Sequence, residues 1–362
     1  MADNLAHLDI VGFGEAMVLV APDDGRDLEH AEAVGLHVAG AEFNVCVAAA
    51  ALGAHSAFAS LVGDDPLGHR IRAAAVAHGV DVALLGTSPA PTGVFFKDIR
   101  PDGQRRVHYY RAGSAASTMD AELARRILRA RPEIVVVSGI TAALSAGSAE
   151  AVEVLLRGAA EAGVRVALDP NLRPALGPVP DQAARLLPLL PHVDLLLLGT
   201  DESPYLFGSG DPARVLAAAS AAGVRETVLK AGPDGCYVLD DGELHHLASA
   251  ATAVVDPAGA GDAFAGGYLV GRVRGMSGFA AAWLGTQLAA RAVASAGDLV
   301  RLADRATAAS LLSAAQGVRP RTVQVVSPRS GAGTKATSAG SPASNSRTSS
   351  SLPVGRSTGP GT

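Results

Sequence analysis

Apolar and polar positions along most of the chain follow two periods, which predict helices and strands in turn. Amphipathic stretches typical of helices cover residues 121–131, 146–162, 181–190 and 213–222. Each is followed by a Val- and Leu-rich run typical of a strand buried on both faces, and these runs are residues 134–137, 164–168, 194–198 and 227–230. The alternation predicts an α/β fold, a three-layer αβα sandwich in which helices cover both faces of a mostly parallel central sheet.

The flanking parts of the chain extend this pattern. Strands are predicted at residues 10–13, 16–20, 34–38 and 56–62, and helices at 45–52 and 67–78. Towards the C-terminus, further helices are predicted at residues 263–273, 279–296 and 304–316.

A different pattern occupies residues 93–113. Two alternating runs, 94–99 and 106–111, flank Pro101-Asp102-Gly103 and predict a β-hairpin. A hairpin inserted between α/β units is typical of a flap. We therefore expect a small β-sheet lid, formed from about residues 15–40 and 93–113.

The strongest chemical signal is the stretch Asp-Pro-Ala-Gly-Ala-Gly-Asp at residues 256–262. It follows an apolar run, residues 250–255, that predicts a strand, and it opens a predicted helix. The glycines allow a tight turn, and the start of the helix offers N–H groups to an anion. Asp262 would repel a phosphate, but a transfer to a hydroxyl needs a proton acceptor at this place. This stretch alone leaves open both phosphoryl transfer and a plain turn in which Asp262 caps a helix.

Polar residues follow several predicted strands where those strands end. Ligands of parallel sheets bind beyond the carboxyl ends of the strands. We therefore expect these residues to converge on the same rim as Asp262, and they are Ser138, Asp169-Pro170-Asn171, Gly199-Thr200-Asp201-Glu202 and Lys230.

Composition and charge narrow the classes of function. The 362 residues are 48% hydrophobic and 18% charged, which is enough for a large core. A net charge of −5 with 4% aromatic residues argues against nucleic acid as the main partner. Cys46 and Cys236 lie far apart in apolar surroundings and predict buried thiols. Neither a signal peptide nor a membrane span is indicated, so we expect a cytoplasmic location.

Two separated signatures resemble those of the ribokinase-like (PfkB) carbohydrate kinases. The first is Ala-Gly-Ala-Glu-Phe-Asn-Val at residues 39–45 with Val-Gly-Asp-Asp-Pro-Leu-Gly at 62–68, and the second is the glycine stretch at 256–262. The similarity covers about residues 8–316. Within the family, the subgroup that phosphorylates 2-keto-3-deoxygluconate has the most similar motifs, which are Gly14-Glu15 and residues 109–115, 138–141, 169–173 and 256–257.

The resemblance implies a role for each matching position. Asp262 would deprotonate the sugar hydroxyl, and Gly259, Ala260 and Gly261 would form the anion hole. The sugar acid would contact Gly40, Asn44, Phe95, Tyr109, Arg111, Asp262 and Asp298. ATP would lie along Asn171, Arg173, Lys230, Gly232, Gly235, Thr286 and residues 259–261. Glu202 would hold Mg²⁺ through water, and a monovalent cation is a further candidate ligand.

Two of these positions have a specific chemical rationale. Arg111 is the expected partner of the sugar acid's carboxylate, because a guanidinium binds a carboxylate in bidentate fashion. Arg173 would also be catalytic, because its charge would stabilise the group in transfer.

Tyr109 and Tyr110 alternate along a strand, and we expect Tyr109 to face the ligand.

The chain departs from the family pattern at two positions. Gly199 stands where the family motif Asn-x-x-Glu has Asn, which weakens the metal inference, although Asp201 lies nearby. Phe95 stands where relatives often have Tyr, which removes one hydroxyl from the sugar site.

Several alternatives remain open. Another activity of the same family, such as that of a ribokinase or a fructokinase, would fit these motifs, as would a catalytically weakened sugar-binding regulator. An exposed lid hairpin would permit a homo-oligomer contact. We expect residues 1–316 to form the kinase domain and residues 317–362, rich in Ser, Gly, Thr and Pro, to form a disordered tail.

Overall fold

Short Val- and Leu-rich strands and Ala-rich helices follow one another along the chain, as the pattern predicts. The computed structural model describes residues 7–24, 26–99, 105–294, 299, 302 and 304–320. The first half contains β1 (Ile10–Phe13), β2 (Met17–Pro22), β3 (Val34–Ala39), α1 (Ala41–Ala51), β4 (Ser56–Gly63), α2 (Pro66–Ala77), β5 (Leu85–Ser88), β6 (Val94–Ile99), β7 (Arg105–Tyr110), α3 (Ala121–Ala130), β8 (Ile134–Ser138), α4 (Gly139–Ala143) and α5 (Ala146–Ala162). The second half contains β9 (Arg165–Asp169), α6 (Val179–Leu186), β10 (Leu195–Gly199), α7 (Ser203–Phe207), α8 (Pro212–Ala221), β11 (Glu226–Lys230), β12 (Cys236–Asp240), β13 (Glu243–Leu247), α9 (Ala260–Val273), α10 (Gly278–Val293) and α11 (Arg305–Gly317).

The central sheet has nine strands in the order β13-β12-β11-β10-β9-β8-β1-β4-β5. Its pairs are parallel from β5 to β11, while β12 and β13 add an antiparallel hairpin at one edge. The predicted α/β fold is confirmed. All parallel strands end at the same rim, which collects the residues that follow β9, β10 and β11.

Helices cover both faces of this sheet because its strands present apolar side chains to both sides. On one face Ile127, Leu155 and Val215 of α3, α5 and α8 pack in one buried cluster with the strands. On the other face Phe264 of α9 and Leu284 of α10 pack in a second cluster. The predicted three-layer arrangement follows from these two cores.

Local signals set the ends of the helices. The Asp65 carboxylate accepts the Gly68 N–H at 2.7 Å and caps α2, which begins at Pro66. Ser145 forms a capping box at the start of α5, and Gly163 ends that helix at φ 72°.

A second, separate sheet has the order β3-β2-β6-β7 and is called the small sheet below. Strand β6 pairs parallel with β2 and antiparallel with β7. Met17, Leu19, Ala39 and Phe95 form its own apolar cluster. The predicted second sheet is therefore confirmed, and the predicted turn at residues 101–103 lies outside the described residues.

Two predicted elements differ in the structure, and several observed elements were not predicted. Residues 250–255 do not form a strand, since this segment crosses the end of α10, where the Val255 N–H donates to the Val293 carbonyl at 2.7 Å. The predicted helix at 181–190 is α6 followed by a 3₁₀ helix, Leu187–His192, where prolines remove helical N–H donors. The prediction missed β5, the hairpin of β12 and β13, and the short helices α4 and α7.

Helices α9 and α10 cross with their backbones in close approach. A Cβ on Gly267 would lie 3.0 Å from both the Gly285 Cα and the Leu284 carbonyl oxygen. This contact fixes the helix whose N-terminus follows the glycine stretch.

Among the helices of the described residues, none combines the length and the hydrophobicity that crossing a membrane requires. Residues 321–362 of the predicted tail lie outside the described residues.

Candidate active site

The glycine stretch, residues 256–262, turns the chain into the N-terminus of α9. Gly259 has φ 72°, a left-handed conformation that favours glycine. The Asp256 Oδ1 accepts the Ala258 N–H at 3.1 Å, which holds the beginning of the turn. Asp262 consequently lies in the first turn of α9, where the helix presents its N–H groups and its positive dipole end.

Asp262 has one direct partner from the N-terminal signature. The Asn44 Nδ2 donates to the Asp262 Oδ2 at 2.7 Å. Burial raises the pKa of Asp262 from 3.8 to about 7, against the Asn44 hydrogen bond, which lowers it. The nearby Asp169 charge raises the pKa further, whereas Lys230 and Arg173 lower it. A carboxylate with this pKa can exchange a proton near neutral pH.

A cavity of about 490 Å³, the large cavity, opens in front of Asp262. Its walls come from the strand ends and the glycine stretch, and they are Asp169, Asn171, Arg173, residues 199–202, residues 230–233, residues 257–259, Gly261 and Asp262. The expected convergence on one rim is confirmed for the residues that follow β9, β10 and β11. Ser138 pairs with Asp169 on the same rim, but neither Ser138 nor Pro170 lines this cavity.

Lys230 and Asp169 form an ion pair across the floor of the large cavity. The Lys230 Nζ lies 2.5 Å from the Asp169 Oδ2. Burial lowers the pKa of Lys230, but the charges of Asp169 and Glu202 outweigh it, so the net shift is upward. The ammonium therefore stays charged among carboxylates.

Glu202 holds two neighbouring loops by their backbones. Its oxygens accept the Leu172 N–H at 2.7 Å and the Gly199 N–H at 2.8 Å. Burial raises its pKa, and the charge of Asp169 adds to the shift. A Cβ at Gly199 would lie 2.4 Å from the Asp201 Oδ1 and 2.9 Å from the Glu202 Oε2, so a side chain here would displace these carboxylates.

The segment after β9 carries Asn171 and Arg173 into the large cavity. Asn171 adopts φ 42°, and its buried Oδ1 has no hydrogen-bond partner among the residues that the structure describes. Gln182 fixes the Arg173 backbone by accepting its N–H at 3.0 Å and donating to its carbonyl at 2.7 Å. The Arg173 side chain is thus exposed on a fixed backbone.

A smaller pocket of about 80 Å³ adjoins the large cavity. Its lining includes Lys230, Gly232, Gly235, Ala260, Gly261 and Thr286. Gly235 has φ 98°, and a Cβ on it would come within 1.9 Å of the Leu247 carbonyl oxygen. Lys230, Gly232, Gly235 and Thr286, which the resemblance places along the nucleotide, therefore lie around one pocket.

The small sheet presents a face with Phe95 and Tyr109, which are cross-strand partners. Their rings stack at 5.6 Å between centroids, and the Arg111 guanidinium lies 5.5 Å from the Tyr109 centroid. Tyr110 points the other way, contacts Phe96 edge-on, and is 69% exposed. Tyr109 rather than Tyr110 therefore shares a face with Phe95, and its contact with a ligand stays a prediction.

Arg111 is more enclosed than the sequence suggests. Its guanidinium forms an ion pair with the Glu15 carboxylate, which is buried and also accepts the Ser114 hydroxyl at 2.5 Å. The Arg111 Nε is buried, and within the described part of the chain it makes no hydrogen bond. Arg111, which is predicted to bind the substrate carboxylate, therefore already pairs with a carboxylate of the protein itself.

Glu42 is a buried carboxylate, two residues before Asn44 on α1, that the sequence analysis did not single out. It is 2% exposed, and its Oε1 accepts the Ser138 N–H at 2.8 Å, the Ser138 hydroxyl at 2.6 Å and the Thr141 hydroxyl at 2.8 Å. Burial raises its pKa, against the Ser138 and Thr141 hydrogen bonds. Its place two residues before Asn44, within an apolar helix, was the available signal. Asp298, predicted to contact the sugar, lies outside the described residues.

Sequence comparisons identify relatives of this chain among curated proteins. A family model described as "pfkB family carbohydrate kinase" matches residues 7–303. A 2-dehydro-3-deoxygluconokinase of Thermoproteus tenax is 33% identical over 314 residues, which are 85% of this chain and 95% of that protein. The 2-dehydro-3-deoxygluconokinase of Bacillus subtilis is 32% identical over 321 residues, 87% of this chain and 98% of that protein. A 2-dehydro-3-deoxygalactonokinase of Haloferax volcanii is 33% identical over 265 residues, 72% of this chain and 83% of that protein.

Solved structures share the fold. A PfkB protein from Polaromonas sp. JS666 has a TM-score of 0.72 and 33% identity, and the match covers 81% of this chain and 97% of that one. A ribokinase II candidate from E. coli, solved in complex with ATP and Mg²⁺, has a TM-score of 0.76 at 23% identity, with coverages of 85% and 99%. Together with the glycine stretch and the N-terminal signature, these matches confirm the resemblance: the chain belongs to the pfkB family and is a carbohydrate kinase.

Proposed function

We propose that the protein transfers the γ-phosphoryl group of ATP to the terminal hydroxyl of 2-keto-3-deoxygluconate, giving 2-keto-3-deoxy-6-phosphogluconate. The observation that carries this proposal is the position of Asp262, which lies at the N-terminus of α9 and on the wall of the large cavity. A proton acceptor beside an anion-binding helix terminus suits transfer of a phosphoryl group to a hydroxyl. The two relatives named 2-dehydro-3-deoxygluconokinase support the choice of sugar acid.

Asp262 acts as the general base in this mechanism. The hydroxyl oxygen attacks the γ-phosphorus while its proton passes to the Asp262 carboxylate, and the bond to the leaving ADP oxygen breaks with its electron pair. Amide groups of the turn at Gly259, Ala260 and Gly261 stabilise the charge on the phosphoryl oxygens. Asn44 orients the base through its 2.7 Å hydrogen bond.

The nucleotide spans both cavities. Its phosphates lie in the large cavity beside Asn171, Arg173 and Lys230, and its other end lies in the small pocket against Gly232, Gly235 and Thr286. Arg173 is exposed there and stabilises the phosphoryl group during transfer.

Magnesium fits the oxygen donors of the large cavity. The set comprises the Asp169, Asp201 and Glu202 carboxylates and the Asn171 Oδ1, which lacks a hydrogen-bond partner in the described ranges. Each Glu202 oxygen accepts one backbone N–H and keeps a lone pair for a water of a hydrated ion. Bound with the nucleotide, Mg²⁺ supplies positive charge to the transferring group. No residue is assigned to a monovalent cation.

The sugar acid binds under the small sheet, against Phe95, Tyr109, Gly40 and Asn44. A guanidinium carries five N–H donors, so Arg111 can pair with Glu15 and still donate to a substrate carboxylate. Asp298 and the assignment of residues 1–316 as the kinase domain remain part of this proposal.

An ADP-release assay with a panel of acceptors tests the proposal. The panel contains 2-keto-3-deoxygluconate, 2-keto-3-deoxygalactonate, gluconate, fructose and ribose, each with ATP and Mg²⁺. We expect the highest kcat/KM with 2-keto-3-deoxygluconate, and a turnover about 10²- to 10⁴-fold lower with the Asp262→Asn control. A tenfold preference for fructose or ribose would assign a different substrate, and the absence of turnover with every acceptor would favour a sugar-binding regulator.

A further inference from the structure

The small sheet and the glycine stretch are joined by a buried ion pair. The Lys97 ammonium on β6 contacts the Asp256 carboxylate, and the two side chains are 12% and 10% exposed. The residues are 159 positions apart in the chain. Such a pair is a tertiary contact between the element that covers the sugar and the turn that receives the phosphoryl group.

Lys97 lies on the same face of β6 as Phe95, because side chains two residues apart on a strand point the same way. Phe95 is the cross-strand partner of Tyr109, and Lys97 is the partner of Val107. The face that carries the proposed sugar contacts therefore also carries the ammonium that reaches Asp256.

Asp256 connects three parts of the protein. Its Oδ2 contacts Lys97, its Oδ1 accepts the Ala258 N–H at 3.1 Å, and its own N–H donates to the Val293 carbonyl at 3.2 Å. The Ala258 bond shapes the turn that leads to Gly259 and Asp262. The Asp256 carboxylate therefore links β6 directly to the turn.

We infer that the Lys97–Asp256 ion pair couples the position of the small sheet to the geometry of the glycine stretch. Lys97 is a positioning residue, which acts on the reaction through Asp256 rather than by contact with the substrate. When the small sheet lies over the sugar, Lys97 holds the turn in the arrangement that stabilises the transferring group. This inference rests on the proposed function for its kinetic consequence, but the coupling itself does not depend on the identity of the sugar.

The variants are chosen to remove one feature at a time. Lys97→Met keeps the length of the stem and removes the charge, and Lys97→Arg keeps the charge. Asp256→Asn keeps an oxygen that can accept the Ala258 N–H. Arg165→Met is the matched control, because it breaks the 2.5 Å ion pair with Glu133 at the opposite end of β9 from the site.

Two measurements test the coupling in the full-length protein. Steady-state kinetics should give a kcat about 10- to 100-fold lower for Lys97→Met, with the KM for ATP changed less than about threefold, since the loss falls on transition-state stabilisation. Lys97→Arg should recover part of the kcat. The double variant Lys97→Met/Asp256→Asn should be no slower than the slower single variant, because both remove the same interaction.

Amide hydrogen exchange of residues 256–262 gives the second readout. We expect faster exchange in Lys97→Met and in Asp256→Asn, and unchanged exchange in Arg165→Met. Wild-type kcat and exchange in Lys97→Met would overturn the inference, as would a double variant whose loss is the product of the two single losses. If Lys97→Met fails to fold, Lys97→Gln can be used for the same kinetic and hydrogen-exchange measurements. If the wild-type protein shows no turnover, the proposed function is refuted. The hydrogen-exchange comparison then still decides whether the Lys97–Asp256 ion pair is coupled to the glycine stretch.

Discussion

Replacing Asp262 by asparagine removes the proposed proton acceptor and keeps the shape of the side chain. The Asn44 Nδ2 can still donate, now to an amide oxygen, so the N-terminal signature keeps its contact with α9. Loss of a general base costs about 10²- to 10⁴-fold in rate. We expect kcat to fall by about this factor while ATP and the sugar acid still bind.

The same substitution should stabilise the fold, and the pKa gives the size of the effect. A shift from 3.8 to about 7 corresponds to about 4 kcal/mol between the two protonation states. Because Asp262 lies on the wall of an open cavity, we expect about 1 to 3 kcal/mol of this to appear in the free energy of unfolding. The folded wild type holds a proton that the unfolded chain releases near pH 4, so its stability falls as pH rises from about 4 to about 7. Asp262→Asn does not lose stability in this way, so its free energy of unfolding should exceed that of the wild type by the full amount above about pH 7.

Three measurements check this prediction: kcat by ADP release, ligand binding by calorimetry, and urea unfolding at pH 4, 5.5 and 8. Asp120→Asn, at the N-cap of α3, is the matched control, because asparagine also caps a helix there. A kcat within tenfold of the wild type refutes the role of base. A stability difference that does not grow with pH refutes the buried ionisation.

Three further predictions follow from the same geometry. The kcat/KM for the sugar should rise with pH and level off above about 7, because the ionised Asp262 accepts the proton. Arg111→Ala should raise the KM for the sugar acid more than the KM for a neutral sugar, and equal changes in the two KM values would contradict the carboxylate role. The same variant should lower the free energy of unfolding by about 3 to 5 kcal/mol, because it leaves Glu15 buried without its cation. Gly267→Ala should cost about 1 to 3 kcal/mol in urea unfolding, because its Cβ meets the α10 backbone at 3.0 Å, whereas Gly317→Ala, with open space around it, should be neutral.

Hydrophobic periodicity was sufficient to predict the strands and helices that lie in the main layers. The bounds of β1 and α5 agree with the predicted residues 10–13 and 146–162, because burial on regular faces leaves a regular pattern. The run at 250–255 has the same apolar composition, but the neighbouring sheet edge is already formed by β12 and β13, and Val254 is 63% exposed. Composition alone could not show that this run has no strand to pair with.

The missed hairpin of β12 and β13 did leave a local signal. Asp241 and Gly242 connect the strands with φ 51° and 80°, as Asp-Gly does in a tight hairpin turn. In contrast, nothing local shows that Arg111 pairs with Glu15, since Glu15 precedes β2 and Arg111 follows β7, far apart in the sequence. The site residues that belong to contiguous motifs were thus predictable, and their pairings across the molecule were not.

The walls of the large cavity carry four carboxylates and two cations, which are Asp169, Asp201, Glu202, Asp262, Arg173 and Lys230. The excess of negative charge repels a free nucleoside triphosphate, which is itself a polyanion. A nucleotide that has already taken up a divalent cation brings less negative charge and meets oxygen ligands for that cation. We therefore expect the cavity to favour a nucleotide that already carries a divalent cation over the free nucleotide.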